Sequence, residues 1–94
     1  MEEKSKEVAE LLKLIANSNR LMILCVLEEG PQTVGELHKR IGTISMSALS
    51  QHLSVLKHSG LLDNRKEGLH VFYQIADPRI LEVIRVLKET YCTP

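Results

Sequence analysis

The sequence contains no tryptophan, and its only aromatic side chains are Phe72, Tyr73 and Tyr91. A core of this chain must therefore consist mainly of leucine, isoleucine and valine. No apolar run approaches the roughly 18 residues that a membrane-spanning helix needs, because the longest covers only residues 21–27. Residues 1–6 mix acidic and basic side chains, unlike the start of a signal peptide. We therefore expect a cytoplasmic protein without a membrane partner.

Motifs that carry enzymatic catalysis are also missing. The sequence has no glycine-rich phosphate loop, no G-x-S-x-G nucleophile elbow and no H-E-x-x-H zinc motif. Acidic residues stand at predicted helix starts and on exposed faces, where capping and solvation explain them. We expect a protein that is not an enzyme and that carries no cofactor.

Cysteine and histidine are too few and too scattered for a tetrahedral metal site. The two cysteines, Cys25 and Cys92, lie far apart in the sequence. His52 and His58 are six residues apart, so they do not share a helix face well enough to chelate an ion. The sequence predicts no metal site. Its histidines are His38, His52, His58 and His70.

Charge is zero overall but uneven along the chain. Residues 1–32 carry six acidic and four basic side chains, whereas residues 33–70 carry three acidic and five basic ones together with every histidine. This middle stretch is the only candidate for a surface that faces a polyanion. A solvated charged face would give the same count.

Apolar residues spaced by three and four predict five helices. Residues typical of helix N-caps precede four of them: Asn19, Thr33 with Glu36 as a capping box, Ser45, and Asp77 followed by Pro78. Gly60 is a typical residue just beyond a helix end. The predicted helices cover residues 5–16, 20–28, 33–41 and 45–59, and the last begins at residues 77–78.

Between the fourth and fifth helices the apolar period changes from about 3.6 to 2, which predicts a β-hairpin. Its strands cover residues 61–66 and 69–75, with Glu67 and Gly68 at the tip. The sequence shows no internal repeat and no linker. We expect a single domain over residues 1–94, mainly α, with the order α-α-α-α-β-β-α.

The third and fourth helices, joined by a tight turn at Gly42 and Thr43, fit a helix-turn-helix. Small polar side chains on the outer face of the second helix can approach base edges, and a basic hairpin beside it can lie along phosphates. A helical hairpin with a solvated serine-rich face has the same spacing. The candidate DNA-contacting residues are Ser45, Met46, Ser47, Ser50, Gln51, Ser54, Lys57, Arg65, Lys66 and His70.

The run from Ser45 to Leu61 resembles the recognition-helix signature of the ArsR/SmtB repressors. Residues 11–27 resemble the opening helices of that family, and residues 65–75 resemble its wing. The resemblance implies a winged helix-turn-helix that binds a palindromic operator in double-stranded DNA. Met46 stands where a polar residue is more usual, which puts direct base reading by that position in doubt.

The same resemblance implies a homodimer built on the first and last helices. Each of these helices carries an apolar stripe that one small domain cannot easily cover. We expect the two stripes to form the dimer interface. They consist of Val8, Leu11, Leu12 and Ile15 in the first helix, and of Ile80, Ile84, Leu87 and Tyr91 in the last.

Two sets of metal ligands typical of the family are absent. Residues 34–38 lack the cysteine pair of arsenic and cadmium sensors, and residues 78–94 lack the histidines of zinc sensors. Cys25 within residues 23–27, together with the pair Tyr91-Cys92, resembles the dithiol subgroup, which responds to sulfide, persulfide or oxidants. The resemblance therefore implies a redox-sensing pair of Cys25 and Cys92, with reactive sulfur species or oxidants as the inducer.

Other interpretations remain open at this point. Without the resemblance, the sequence predicts that Cys25 is a small apolar residue of the core. A metal- or metalloid-responsive repressor of the same family is one alternative function. A protein-protein interaction module is another, although the recognition face lacks the aromatic residues that dominate protein hot spots.

The charges near the two cysteines indicate which one reacts first. Glu28 and Glu29 lie one helical turn after Cys25 and should disfavour its thiolate, whereas Lys88 lies one turn before Cys92. We expect Cys92 to be the more accessible thiol and the one modified first.

Overall fold

The protein was analysed as a computed structural model, which describes residues 1–92. Helices pack around a small antiparallel sheet, and a short π-helix follows the last α-helix. The elements are α1 (Glu2–Ile15), α2 (Ser18–Leu27), β1 (Gln32–Thr33), α3 (Val34–Ile41), α4 (Met46–His58), β2 (Leu62–Glu67), β3 (His70–Ile75), α5 (Pro78–Leu87) and the π-helix (Lys88–Cys92).

Side-chain caps set the starts of α3 and α4, as predicted. Thr33 Oγ1 accepts a hydrogen bond from the amide of Glu36 at 3.1 Å, and Glu36 Oε1 accepts one from the amide of Thr33 at 2.8 Å. Ser45 Oγ accepts a hydrogen bond from the amide of Ala48 at 3.1 Å. Each cap satisfies amides that have no partner within the first helical turn.

The predicted start of α2 is wrong. Asn17, not Asn19, is the cap, and its Oδ1 accepts hydrogen bonds from the amides of Asn19 and Arg20 at 3.0 and 3.1 Å. Asn17 has the extended backbone of a cap residue, with φ −153° and ψ 127°, so the helix begins at Ser18. Helix α1 also begins earlier than predicted, at Glu2, where an acidic first turn stabilises the helix dipole.

The sheet has a third strand that the sequence did not predict. The two-residue strand β1 pairs antiparallel with β3, with Gln32 opposite Tyr73 and Thr33 opposite Phe72. The strand order is β1-β3-β2. The element order is therefore α-α-β-α-α-β-β-α, followed by the π-helix, and this sheet docks the hairpin against α3.

The hairpin turn lies one residue later than predicted. Glu67 pairs with His70, so Gly68 and Leu69 form the two-residue loop. Gly68 has a φ of 61°, which glycine adopts without steric cost and which a right-twisted hairpin favours at the first loop position. Leu69, predicted to begin the strand, is instead 96% exposed at the tip.

The core is aliphatic, as the shortage of aromatic residues predicts. Leu49, Leu53 and Leu56 hold α4 against it, and each is at most 1% exposed. Ile23 and Leu24 of α2 are fully buried at its centre. The fold is a winged helix-turn-helix in which α4 has one face fixed in the core and the opposite face exposed. Within residues 1–92, no helix combines the length and apolar character that crossing a membrane requires.

Candidate nucleic-acid interface and cysteine pair

The turn between α3 and α4 holds the helix-turn-helix rigidly. Gly42 has a φ of 73° in the left-handed region, and its amide donates to the carbonyl of His38 at 3.0 Å. Ile44, two residues later, is buried in the core. Because the turn is fixed at both points, α4 keeps a defined direction relative to α3.

The outer face of α4 carries the predicted base-reading residues. Ser47, Ser50, Gln51 and Ser54 are all exposed, and Met46 is 45% exposed at the start of the helix. The hydroxyl oxygen of Ser45 accepts the capping bond, so this residue sets the helix start as well as bordering the face. Short side chains on this face allow close approach to a duplex groove.

The C-terminal turn of α4 is organised by a histidine. His58 Nδ1 donates to the carbonyl oxygen of Ser54 at 2.8 Å and lies 3.4 Å from the Ser54 hydroxyl. Lys57 beside it is exposed. The end of the recognition helix therefore presents one lysine cation and a fixed imidazole.

The wing holds its arginine more tightly than the sequence indicates. Arg65 Nε donates to Glu67 Oε1 at 2.9 Å, Arg65 Nη1 donates to Gln74 at 3.3 Å, and the guanidinium lies 5.5 Å from the Phe72 ring centroid. His70 packs edge-on against the same ring at 6.4 Å. Glu67 thus partly neutralises Arg65, and Lys66 supplies the open positive charge of the wing.

Unpaired positive charge gathers around the helix-turn-helix. Most cations of the chain lie within 4.0 Å of a carboxylate. In the described part of the chain, the lysines and arginines without such a carboxylate are Lys6, Arg20, Lys39, Lys57 and Lys66. All but Lys6 lie in α2, α3, α4 or the wing. A surface whose cations lack internal partners favours a polyanionic ligand.

Arg20 was not among the predicted site residues. Its Nε donates to His52 Nδ1 of α4 at 3.2 Å, and its Nη1 donates to the carbonyl of Leu14 at 3.2 Å. The residue therefore joins α1, α2 and α4. The sequence signal was its place within residues 11–27, which resemble the opening helices of the family but give no hint of a contact with a residue 32 positions away.

The structure brings the two cysteine-bearing segments together. Cys25 is half-buried in α2 and packs against the core, whereas Cys92 is exposed at the end of the π-helix, and both thiols are free. Lys88, in the π-helix, donates to the carbonyl oxygen of Cys25 at 3.0 Å and to Glu28 Oε1 at 2.9 Å. It also lies 3.5 Å from Glu29. Lys88 therefore anchors the start of the π-helix to the C-terminal end of α2.

Burial raises the pKa of the Cys25 thiol above its ordinary value. A negative charge on Cys92 raises this pKa further. Lys88 lowers the pKa of Cys25 and Glu28 raises it. The predicted upward direction of the Cys25 pKa shift is confirmed. Its main cause is desolvation rather than a glutamate, and Glu29 is not among the causes. Cys92 is the more exposed thiol, as expected.

Two of the four residues predicted to form the dimer stripe at the C-terminal helix, Ile80 and Ile84, are wrong. Ile80 and Ile84 are 1% and 0% exposed because they pack into the core of the same protomer. The apolar surface that α5 leaves open consists of Val83 and Val86, which are 41% and 51% exposed. On α1, Ile15 is also buried, whereas Val8 and Leu12 are 50% and 51% exposed. Tyr91 is 79% exposed.

In the part of the chain that the structure covers, no group of three or more histidine, cysteine or acidic side chains is arranged to hold a metal ion. The exposed face of α4 and the wing fit recognition of a ligand.

Comparison with known proteins gives one consistent family. The sequence pattern described as "Bacterial regulatory protein, arsR family" matches residues 17–64. The chain is 44% identical over 92 residues to the transcriptional activator HlyU of Vibrio cholerae, across 98% of this chain and 84% of HlyU. It is 39% identical over 93 residues to the biofilm growth-associated repressor of Xylella fastidiosa, across 99% of this chain and 81% of that repressor.

Solved structures agree with the sequence relatives. Reduced HlyU from Vibrio cholerae superposes with a TM-score of 0.93 at 43% identity, covering 99% of this chain and 97% of that chain. The homodimeric winged helix-turn-helix DNA-binding domain of Mb0332 from Mycobacterium bovis superposes with a TM-score of 0.79 at 29% identity, covering 93% and 80%. The chain belongs to the arsR family of bacterial regulatory proteins and is a DNA-binding transcriptional regulator, not an enzyme.

Proposed function

We propose that this chain is a homodimeric repressor that binds a palindromic operator and releases it when Cys25 and Cys92 are oxidised or persulfidated. The observation that carries the switch is the docking of the π-helix on α2, where Lys88 bonds to the carbonyl of Cys25 one helical turn before Cys92. Free thiols fit a reducing cytoplasm, in which an inducer could oxidise them.

Operator recognition is assigned to the outer face of α4. Serine and glutamine side chains can donate to and accept from base edges in the major groove, whereas Lys57 and Lys66 supply phosphate contacts that add affinity without sequence information. Replacing Ser50 and Gln51 by alanine should therefore reduce the preference for operator over random duplex more than it reduces non-specific binding. Fluorescence anisotropy with both duplexes measures this. An unchanged operator preference in the double variant would contradict the assignment.

Dimerisation is assigned to the open faces of α1 and α5. Glu7 of α1 adds to the effect of the main partner, Asp77, in raising the pKa of Arg79 at the start of α5. Each helix leaves valine or leucine side chains half exposed, and a twofold partner would cover them. The Mb0332 domain is described as homodimeric. Sedimentation at micromolar concentration should give a dimer, and a monomer would contradict the proposal.

Repression is the direction of regulation that needs the fewest assumptions. A dimer that occupies DNA blocks polymerase without any further contact, and the Xylella fastidiosa relative is named a repressor. HlyU is named an activator, so the named relatives differ in whether they activate or repress transcription. Run-off transcription from a promoter that carries the operator should fall when reduced protein is added. A rise in transcript would contradict repression.

The chemistry of the switch follows from the exposure of the two thiols. The accessible Cys92 thiolate attacks a terminal sulfur of a polysulfide, whose S–S bond breaks and whose remaining chain, one sulfur shorter, leaves with the electron pair. The Cys25 thiolate then attacks the Cys92 sulfur of the resulting persulfide, forming the Cys25–Cys92 disulfide and releasing hydrosulfide. The two thiols lose two protons and two electrons in total, and the polysulfide is the oxidant. Retained sulfur atoms would give a longer bridge.

A chain of ion pairs connects this site to the helix-turn-helix. Lys88 contacts Glu28 and Glu29, and Glu29 accepts two hydrogen bonds from Arg40 of α3 at 2.7 and 3.0 Å. Movement of the π-helix during bridge formation would therefore displace α3, which packs against α4. A change of about 1.4 kcal/mol in the relative stability of the two forms alters DNA affinity tenfold.

Two serine variants test the switch. Intact mass spectrometry should find one internal Cys25–Cys92 bridge in wild-type protein after polysulfide treatment. Cys25→Ser and Cys92→Ser should form no bridge and should keep operator binding after the same treatment. Release of DNA by zinc or arsenite, reversed by a chelator, would favour a metal-responsive regulator and would contradict the thiol switch.

A further inference from the structure

Arg20 faces a groove between α2 and α4. The groove has a volume of about 390 Å³ and is lined by Arg20, Gln51, His52, Ser54 and Val55. Gln51 belongs to the exposed base-reading face of α4, so the groove opens beside that face. Arg20 is the one guanidinium among these lining residues.

The hydrogen bonds of Arg20 fix its guanidinium and leave its charge unneutralised. Nε donates to His52 Nδ1 and Nη1 donates to the carbonyl of Leu14, both at 3.2 Å. Within residues 1–92, no carboxylate lies in salt-bridge distance of Arg20. The remaining N–H donors of the planar guanidinium are available for an anion, and their fork matches two oxygens of a phosphate.

His52 supports this geometry through its ring nitrogen, because Nδ1 accepts the hydrogen bond from Arg20 Nε. The pair also links the start of α2 to the recognition helix, so an anion held by Arg20 would set the position of α4.

We infer that Arg20 binds a backbone phosphate of the operator and thereby positions α4 over the base edges. This inference rests on the proposed DNA binding and adds a phosphate contact from outside the helix-turn-helix. A duplex phosphate fits better than a free ion, because the groove borders Gln51, which reaches base edges in the same complex. One contact of this kind forms in each half-site of a dimer.

The test compares Arg20→Gln, Arg20→Lys and wild type over a salt series. Each phosphate contact contributes about 0.9 to the slope of log affinity against log salt, so two half-sites contribute about 1.8. Between about 50 and 200 mM salt, wild type should lose ~12-fold more affinity than Arg20→Gln. Arg20→Lys should keep the wild-type slope, because it keeps the charge. Arg79→Gln is the matched control, since Arg79 lies at the start of α5 and is paired with Asp77, and its slope should equal wild type.

The outcomes separate this inference from the proposed function. If wild type binds no duplex, DNA binding itself fails, and the phosphate contact fails with it. If wild type binds and folded Arg20→Gln keeps the full salt slope, only the phosphate contact is overturned, and Arg20 is a brace between α2 and α4. If the Arg20→Gln variant does not fold, NMR of the arginine side chains in wild-type protein tests the same contact. Operator should shift the Arg20 Nε–H signal, and a signal that moves with inorganic phosphate but not with operator would overturn the inference.

Discussion

Replacing Lys88 by methionine removes the cation that docks the π-helix on α2. The change keeps an unbranched side chain of similar length but deletes the hydrogen bonds to the Cys25 carbonyl and to Glu28, as well as the contact with Glu29. It also removes the one neighbour that lowers the pKa of Cys25. The first loss should make bridge closure less favourable at equilibrium, because Cys92 is held less firmly near Cys25. The second should slow closure, because less of Cys25 is thiolate.

The structure limits the size of this effect. Hydrogen bonds to charged groups contribute about 1.5–3 kcal/mol. The side chains of Lys88 and Glu28 are only 26% and 20% exposed, so solvent screening is partial. In the Lys88→Met variant, Glu28 still has an ion pair with Arg85 at 3.8 Å, and Glu29 still has one with Arg40. These ion pairs offset part of the stability lost with Lys88. We therefore expect a net cost of about 1–2 kcal/mol, or ~5–30-fold in the equilibrium constant for closing the bridge.

Equilibration in glutathione redox buffers, read by intact mass spectrometry, measures that constant. Lys88→Met should require a correspondingly more oxidising buffer than wild type to close half of the bridges. Lys13→Met is the control, because Lys13 pairs with Glu10 on the exposed face of α1 and both side chains are more than 70% exposed. Equal closure constants for Lys88→Met and wild type would refute the role assigned to the docking contact.

Three further changes test the fold and the interface. Glutamate at Val83 and Val86 should convert the dimer to a monomer in sedimentation velocity, and a persisting dimer would place the interface elsewhere. Leu53 is 1% exposed, so Leu53→Ala should lower the free energy of unfolding, measured by urea titration, by about 2–5 kcal/mol. A smaller loss would mean that neighbouring side chains move in to fill the cavity. Arg79 lowers the pKa of the Asp77 carboxyl, so its stabilisation is present above the ordinary carboxyl pKa and is lost as pH falls through the lowered one. Asp77→Asn should make stability less dependent on pH in acid, and an unchanged profile would contradict that linkage.

Local signals in the sequence predicted most helix starts. Thr33 with Glu36, Ser45, and Asp77 with Pro78 act within one helical turn, so their roles can be inferred without tertiary structure. The buried leucines of α4 follow from a single clear period. The helix-turn-helix and the exposed α4 face could therefore be predicted, because both depend on short-range patterns.

The features that were missed depend on contacts between distant residues. Strand β1 has two residues and exists only by pairing with β3. Helix α5 carries apolar residues on two sides, and its sequence does not tell that Ile80 turns inward while Val83 remains open. Lys88 and Glu28 are 60 residues apart, and Arg20 and His52 are 32 apart. Neither contact produces a periodic pattern in the sequence, so both could be found only in the folded structure.

The most direct test of the thiol switch is the operator dissociation constant of one protein sample before and after polysulfide, with its mass measured at each step. Reduced wild type should bind at low salt, and the bridged form should bind at least about tenfold more weakly, which corresponds to about 1.4 kcal/mol. Cys25→Ser should show the same constant before and after treatment. If the Cys25–Cys92 bridge forms and the operator dissociation constant of wild type does not change, the two cysteines do not control DNA binding.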